Sequence, residues 1–149
     1  MASLYTEIDI NAPKQLVWQA LFQKDQWKHW NTFLFDCDSR IPFEEGKDVF
    51  LSIRRLPQEE ETEFEPLVTK VQPGVCLIWV SSIPGFRNEY VFELQEIGLG
   101  RTKYVHKNHY SGILSRVFVP FIRDDERRGI QRMAREIKRY VERLYSDSV

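Results

Sequence analysis

The sequence predicts an α+β domain: an antiparallel sheet of about six to seven strands packed against one long C-terminal helix, with two short helices after the first strand. Three observations predict it. The chain opens on an alternating stretch and switches at once to helical spacing. Its middle, from Phe33 to Tyr110, is a succession of short alternating stretches broken by polar turns. Its end, "DDERRGIQRMAREIKRYVERL", repeats apolar residues at helical spacing. A chain of 149 residues is long enough to bury one real core, so residues 1–149 read as a single domain.

Each element has a local reason. In "LYTEIDI" Leu4, Thr6, Ile8 and Ile10 share one face, opposite Tyr5, Glu7 and Asp9, the pattern of a half-buried strand. In "NAPKQLVWQALF" Asn11 is a candidate cap, Pro13 suits a first turn, and Leu16, Val17, Ala20 and Leu21 form a helical stripe. "KDQWKHWN" reads as a short second helix carrying Trp27 and Trp30. "FLFDCDSR" puts Phe33, Phe35 and Cys37 on one face, and "KDVFLSIRR" puts Val49, Leu51 and Ile53 on one face. "PQEEETEFEP" reads as an exposed acidic turn. "LVTKV", "VCLIWVSS", "NEYVFELQEI" and "TKYVHKNHY" follow, separated by Pro73-Gly74, Pro84-Gly85 and "GLGR". Breaks this short favour consecutive hairpins over helical crossovers. Ile130, Met133, Ile137, Tyr140, Val141 and Leu144 make the buried stripe of the last helix, with Asp124, Asp125 and Glu126 placed in or near its first turn. Pro120 is expected to separate that helix from a shorter segment around "ILSRVF".

Composition narrows the function. A net charge of -1 offers no general attraction to nucleic acid, and the longest apolar runs fall far short of the ~20 residues of a membrane span. No secretory leader is evident, and Cys37 and Cys76 lack any framework or metal-binding spacing. The expectation is a cytoplasmic protein with reduced thiols, no cofactor, no metal and no stable membrane insertion. The phosphate-binding glycine loops and the nucleophile elbow are absent.

The stretch Thr102–Gly112, "TKYVHKNHYSG", carries two of the three histidines. His106 and His109 are three apart and point to opposite faces of a strand, which argues against a shared metal. Lys107 goes with Val105 and His109 on the solvent face, leaving Tyr104, His106, Asn108 and Tyr110 inward. On the next strand Tyr90, Phe92 and Leu94 face the same way. The seven basic residues spread over the last helix, among them Arg132, Arg135 and Lys138, read as a solvated face laced with acids.

The ordered set "IDINAPKQLVWQALFQKDQWKHWN", Pro66, "LIW" at Leu77–Trp79, "YVFEL" at Tyr90–Leu94, and the "T…H…SG" run before the final helix resembles the START-like, Bet v 1-like superfamily (SRPBCC, or helix-grip) over essentially the whole chain, and its polyketide cyclase/dehydratase-like branch in particular. The resemblance implies a helix-grip fold with a cavity between sheet and C-terminal helix. It also implies a small apolar or amphipathic ligand such as a lipid or polyketide. Trp79, Tyr90, Phe92, Tyr104, His106, Asn108 and Tyr110 would line that cavity from the sheet, with Met133 and Ile137 facing them from the helix. His106 and Asn108 would fix a polar end, or else satisfy each other inside a filled core. The same superfamily holds cyclases and dehydratases, for which His106 is the best catalytic candidate here. It also holds chaperone activators, which act by protein contact. A homodimer is a further expectation.

Overall fold

The computed structural model describes residues 2–148. Strand β1 (Ala2–Ile10) leads into helix α1 (Lys14–Phe22) and a 3-10 helix (Lys24–His29). Seven strands follow: β2 (Leu34–Asp36), β3 (Leu51–Ile53), β4 (Thr62–Phe64), β5 (Leu67–Gln72), β6 (Cys76–Ile83), β7 (Phe86–Gly98) and β8 (Arg101–Ser111). Helix α2 (Ser115–Asp147) ends the chain. The strands form a five-stranded antiparallel sheet, β1-β8-β7-β6-β5, and a three-stranded one, β2-β3-β4. The backbone before β3 joins them, because Val68 N donates to Lys47 O and Val49 N to Pro66 O. This is the predicted α+β architecture, a helix-grip fold in which α2 runs against β1 and β8.

The alternation that predicts the strands also sets their burial. Leu4 and Ile10 are buried while Tyr5, Glu7 and Asp9 are exposed. Tyr90, Phe92 and Leu94 on β7, and Leu77 and Trp79 on β6, join the core. On β8 the inward set Tyr104, His106, Asn108 and Tyr110 is fully buried. Val105 is buried too, although it belongs to the outer face. It sits in register between Glu7 and Glu93, beneath the Lys107–Glu93 (2.7 Å) and Lys103–Glu7 (3.9 Å) ion pairs, whose aliphatic stems cover it.

Several expectations are corrected. Phe33, Phe35 and Cys37 do not share a face: Phe33 and Leu34 are both buried and Cys37 is exposed. The Asn31 side-chain oxygen accepts from the backbone N–H of both Phe33 and Leu34 (2.9 Å each), a tight turn that sends consecutive side chains inward. Asn11 does not cap α1; Pro13 takes that position, and the Asn11 N–H donates instead to Glu142 (2.8 Å). The acidic turn contains edge strand β4, with Glu61 accepting from Ser52 (2.6 Å) and pairing with Arg54 (3.4 Å). Pro120 does not break the last helix. Both Pro120 and Arg116 are exposed, so the lost hydrogen bond lies on the solvent side of the helix rather than in the core, and α2 continues through 33 residues. Asp124, Asp125 and Glu126 consequently lie well inside the helix rather than in its first turn.

Gly129 shows how closely the helix approaches the chain beneath it. A β-carbon there would collide with the ring of Phe33, which is fully buried. Alanine is the better helix former by about 1 kcal/mol, but overpacking against an immobile ring costs about 1–3 kcal/mol. Gly129→Ala is therefore expected to lower stability by about 1 kcal/mol in urea unfolding. A gain in stability would show that the Phe33 ring yields.

Candidate functional site

The polar centre of the protein is Glu126, an acid with no solvent exposure on the sheet-facing side of α2. Its carboxylate accepts hydrogen bonds from the Tyr90 hydroxyl, from Asn108 Nδ2 (2.8 Å) and from Arg55 Nε (2.5 Å). Asn108 Nδ2 also donates to the Tyr110 hydroxyl (2.9 Å). One side chain thus ties α2 to β7, to β8 and to the segment just after β3. A carboxylate buried this deeply needs a cation and several donors together, since neither alone offsets its desolvation. Burial opposes the charge on Arg55, but the Glu126 carboxylate outweighs it and the guanidinium pKa is raised. Burial, then the Glu126 charge, pushes both Tyr90 and Tyr110 well above the ordinary tyrosine range, which keeps their hydroxyl protons in place.

Two members of this cluster, Arg55 and Tyr90, reach the lining of a cleft of about 500 Å³. Ile53, Thr62 and Phe64 line it from β3 and β4; Ser81, Ser82, Ile83, Phe86 and Asn88 line it from the β6–β7 hairpin; Arg55 and Tyr90 lie at its base. Glu63 and Glu65 stand at the rim. Only Nε of Arg55 is bonded to Glu126, and its terminal nitrogens make no hydrogen bond to the protein among the described residues. The cleft therefore combines apolar walls with a rigid hydrogen-bonding base.

The residues singled out from the sequence divide between this cleft and the space behind it. Tyr90 lines the cleft directly, and Asn108 and Tyr110 support it through the cluster. Trp79, Phe92, Tyr104, His106, Met133 and Ile137 lie deeper, between sheet and helix, all without exposure. Their rings pack on one another: Phe92 on His106 at 4.3 Å, Trp79 on Phe92 at 5.0 Å and on Tyr90 at 5.4 Å between centroids. His106 and Asn108 do not bond to each other. Both His106 nitrogens, the Tyr104 hydroxyl, Trp79 Nε1 and Asn108 Oδ1 lack a protein partner among the described residues. Burial depresses the His106 pKa to about 3, so its imidazole is neutral at physiological pH and holds an added proton poorly. His29 and His109 lie elsewhere, one exposed and one half-buried, and no metal-binding cluster occurs among the described residues.

Two residues central to the site, Glu126 and Arg55, escaped sequence reasoning. A signal for Glu126 was present, because it falls four residues before Ile130 and seven before Met133, on the apolar stripe of α2. An acid at a stripe position calls for buried partners. Arg132 also departs from the solvated face expected of the basic residues, donating to backbone carbonyls of Thr32 (3.3 Å), Arg54 (2.8 Å) and Arg55 (3.0 Å). It fixes the segment that carries Arg55.

A sheet wrapped on a long C-terminal helix, with an internal polar cluster opening to a cleft, defines a START-like helix-grip domain. Residues 11–142 match the family described as "Activator of Hsp90 ATPase homolog 1-like protein", and the chain belongs to that family. No curated protein matches the sequence. Among solved structures, protein CV1439 of Chromobacterium violaceum superposes with a TM-score of 0.73 at 12% identity, covering 94% of this chain and 96% of that one. A START superfamily protein of Mycobacterium smegmatis gives 0.71 at 13% identity, covering 95% and 98%. DynU16, a putative protein in the dynemicin biosynthetic locus, gives 0.68 at 16% identity, covering 96% of this chain and 48% of that one. These likenesses establish the fold. No described helix is long and apolar enough to cross a membrane.

Two outcomes follow from the buried groups. Glu126→Ala strips three donors of their acceptor and is expected to cost about 3 kcal/mol in denaturant unfolding, against less than about 0.5 kcal/mol for the exposed Asp124→Ala. His106 binds a proton in the unfolded chain below about 6.5 but in the folded one only below about 3. Stability is therefore expected to fall as pH drops through that interval, by up to ~1.4 kcal/mol per pH unit from this group. The difference between wild type and His106→Phe, measured from pH 7 to 4, isolates it, and parallel curves would show that His106 is protonated in the fold.

Proposed function

We propose that the protein binds a small hydrophobic or amphipathic molecule, a lipid, polyketide or similar compound, in the cleft of the helix grip. The observation that carries this reading is the meeting of apolar walls with a polar floor in one concavity. Ile53, Phe64, Ile83 and Phe86 offer surface for an apolar body, and Arg55, Tyr90 and Asn88 offer donors and acceptors for a polar end. A volume of about 500 Å³ falls within the range of small-molecule sites. Burial of apolar ligand area would drive association, and the cluster behind Tyr90 would orient the head without reorganising. The unpartnered atoms of Asn108, His106 and Tyr104 continue the polar track inward along the same strand face. Rim acids Glu63 and Glu65, together with the neutralising of Arg55 by Glu126, favour an uncharged polar head over a strongly anionic one.

The Tyr90–Glu126 pair supports a second reading, an enzyme of the cyclase or dehydratase type. A hydroxyl whose proton rests on a buried carboxylate presents its oxygen to the cleft as an acceptor, and can take a substrate proton while passing its own to Glu126. In that reading Tyr90 takes the role for which His106 was the candidate, because the imidazole lies behind the cleft and is a weak base.

Native mass spectrometry of gently purified protein, followed by denaturing extraction, tests the ligand reading. The expected result is a mass excess that disappears on denaturation, reduced at least tenfold in occupancy by Phe64→Glu, which places a charge on the apolar wall. A ligand retained equally by that variant would place binding elsewhere. Tyr90→Phe separates the two readings, since it should weaken binding by about fivefold in a binding protein but abolish turnover in an enzyme.

A further inference from the structure

The N-terminal end of α2 and the tip of the β6–β7 hairpin form one rigid knob. Leu114 N donates to Gly85 O (2.8 Å), and a β-carbon at Gly112 would collide with that same carbonyl, so the two segments touch backbone to backbone. Both glycines adopt positive φ, 83° at Gly85 and 99° at Gly112, which fixes the approach. The knob is apolar on its outer side. Ile113 is 84% exposed, Phe121 82%, Ile83 60% and Val117 53%, with Phe118 beside them. The opposite side of the same turns buries Ser115 and Val119 in the usual way. A helix end apolar on both sides has a second medium to meet.

We propose that this knob docks the protein onto the surface of an anionic lipid bilayer. Charge argues for that occupant. Between Ile113 and Arg123 the chain carries no acid, while Arg116 and Arg123 are exposed and make no ion pair among the described residues. Basic residues flanking protruding aromatic and aliphatic side chains suit an interface of anionic headgroups above acyl chains. The knob also adjoins the cleft: Phe86 lines the cleft and packs edge-on against Phe118 at 5.4 Å, and Ile83 belongs to both. The proposal concerns the surface alone and does not rest on the ligand reading.

Co-sedimentation of the full chain with phosphatidylcholine vesicles, with and without phosphatidylserine, tests it. Binding is expected to the phosphatidylserine vesicles only and to weaken with salt. Arg116→Glu and Arg123→Glu should each weaken it at least about fivefold, and Ile113→Ser with Phe121→Ser should abolish it. Both pairs are exposed, so unchanged thermal unfolding is expected to accompany the loss. Absence of binding to either vesicle would overturn the proposal, whatever the cleft holds. So would a dimer in light scattering that Ile113→Ser/Phe121→Ser converts to a monomer, since a second copy would then cover the knob. Binding that the arginine and serine variants leave unchanged would also overturn it, by placing the contact elsewhere.

Discussion

The fold turns on the desolvation of one carboxylate. Glu126 can stay inside only if Arg55, Tyr90 and Asn108 reach it together: Tyr90 and Asn108 are paired neighbours on β7 and β8, and Arg55 comes from beyond β3 in the other sheet. Apolar packing alone lets a helix slide or rotate over a sheet at modest cost, because one aliphatic contact substitutes for another. A buried acid with three directional donors does not permit that exchange. The position and rotation of α2 along the sheet, the reach of the β3 end toward the helix, and the floor of the cleft are all consequences of the same arrangement. Arg132 reinforces it by holding the carbonyls next to Arg55.

Around that centre the interior is graded. The space beneath the C-terminal half of α2 is filled by Trp79, Phe92, Tyr104, Met133 and Ile137, and it resembles an ordinary core except for its unpartnered polar atoms. Toward the three-stranded sheet the packing opens, because β2, β3 and β4 are three residues each and cannot cover the ends of β6 and β7. A short sheet closing over a long one leaves a mouth by geometry. The cleft is a product of unequal strand lengths, and Glu126 fixes the two polar side chains, Arg55 and Tyr90, that reach it from behind.

What was legible in the sequence was whatever depends on period. Strand alternation assigned Tyr104, His106, Asn108 and Tyr110 to the interior, and the helical stripe assigned Ile130, Met133 and Ile137 to the face opposite them. What depends on distant partners was not legible. Pro120 looked like a stop, which moved Glu126 to a helix start where an exposed acid is normal; within a continuous helix the same residue faces the sheet. Phe33 and Leu34 both turn inward because of Asn31, a side-chain-to-backbone contact that overrides alternation. The exposed apolar knob was missed because Ile113, Val117 and Phe121 look the same in sequence whether they face a core or water.

The acid-rich edge formed by β4 has one more consequence. An open strand edge offers unpaired backbone groups to any passing chain, and here that edge is three residues long with Glu61, Glu63 and Glu65 exposed along and beside it. A second copy approaching in the same way would bring carboxylates against carboxylates. The protein can therefore keep a loosely closed sheet, and the opening that goes with it, without fusing into larger β-structures at high concentration. The carboxylates that border the cleft also act as gatekeepers against aggregation.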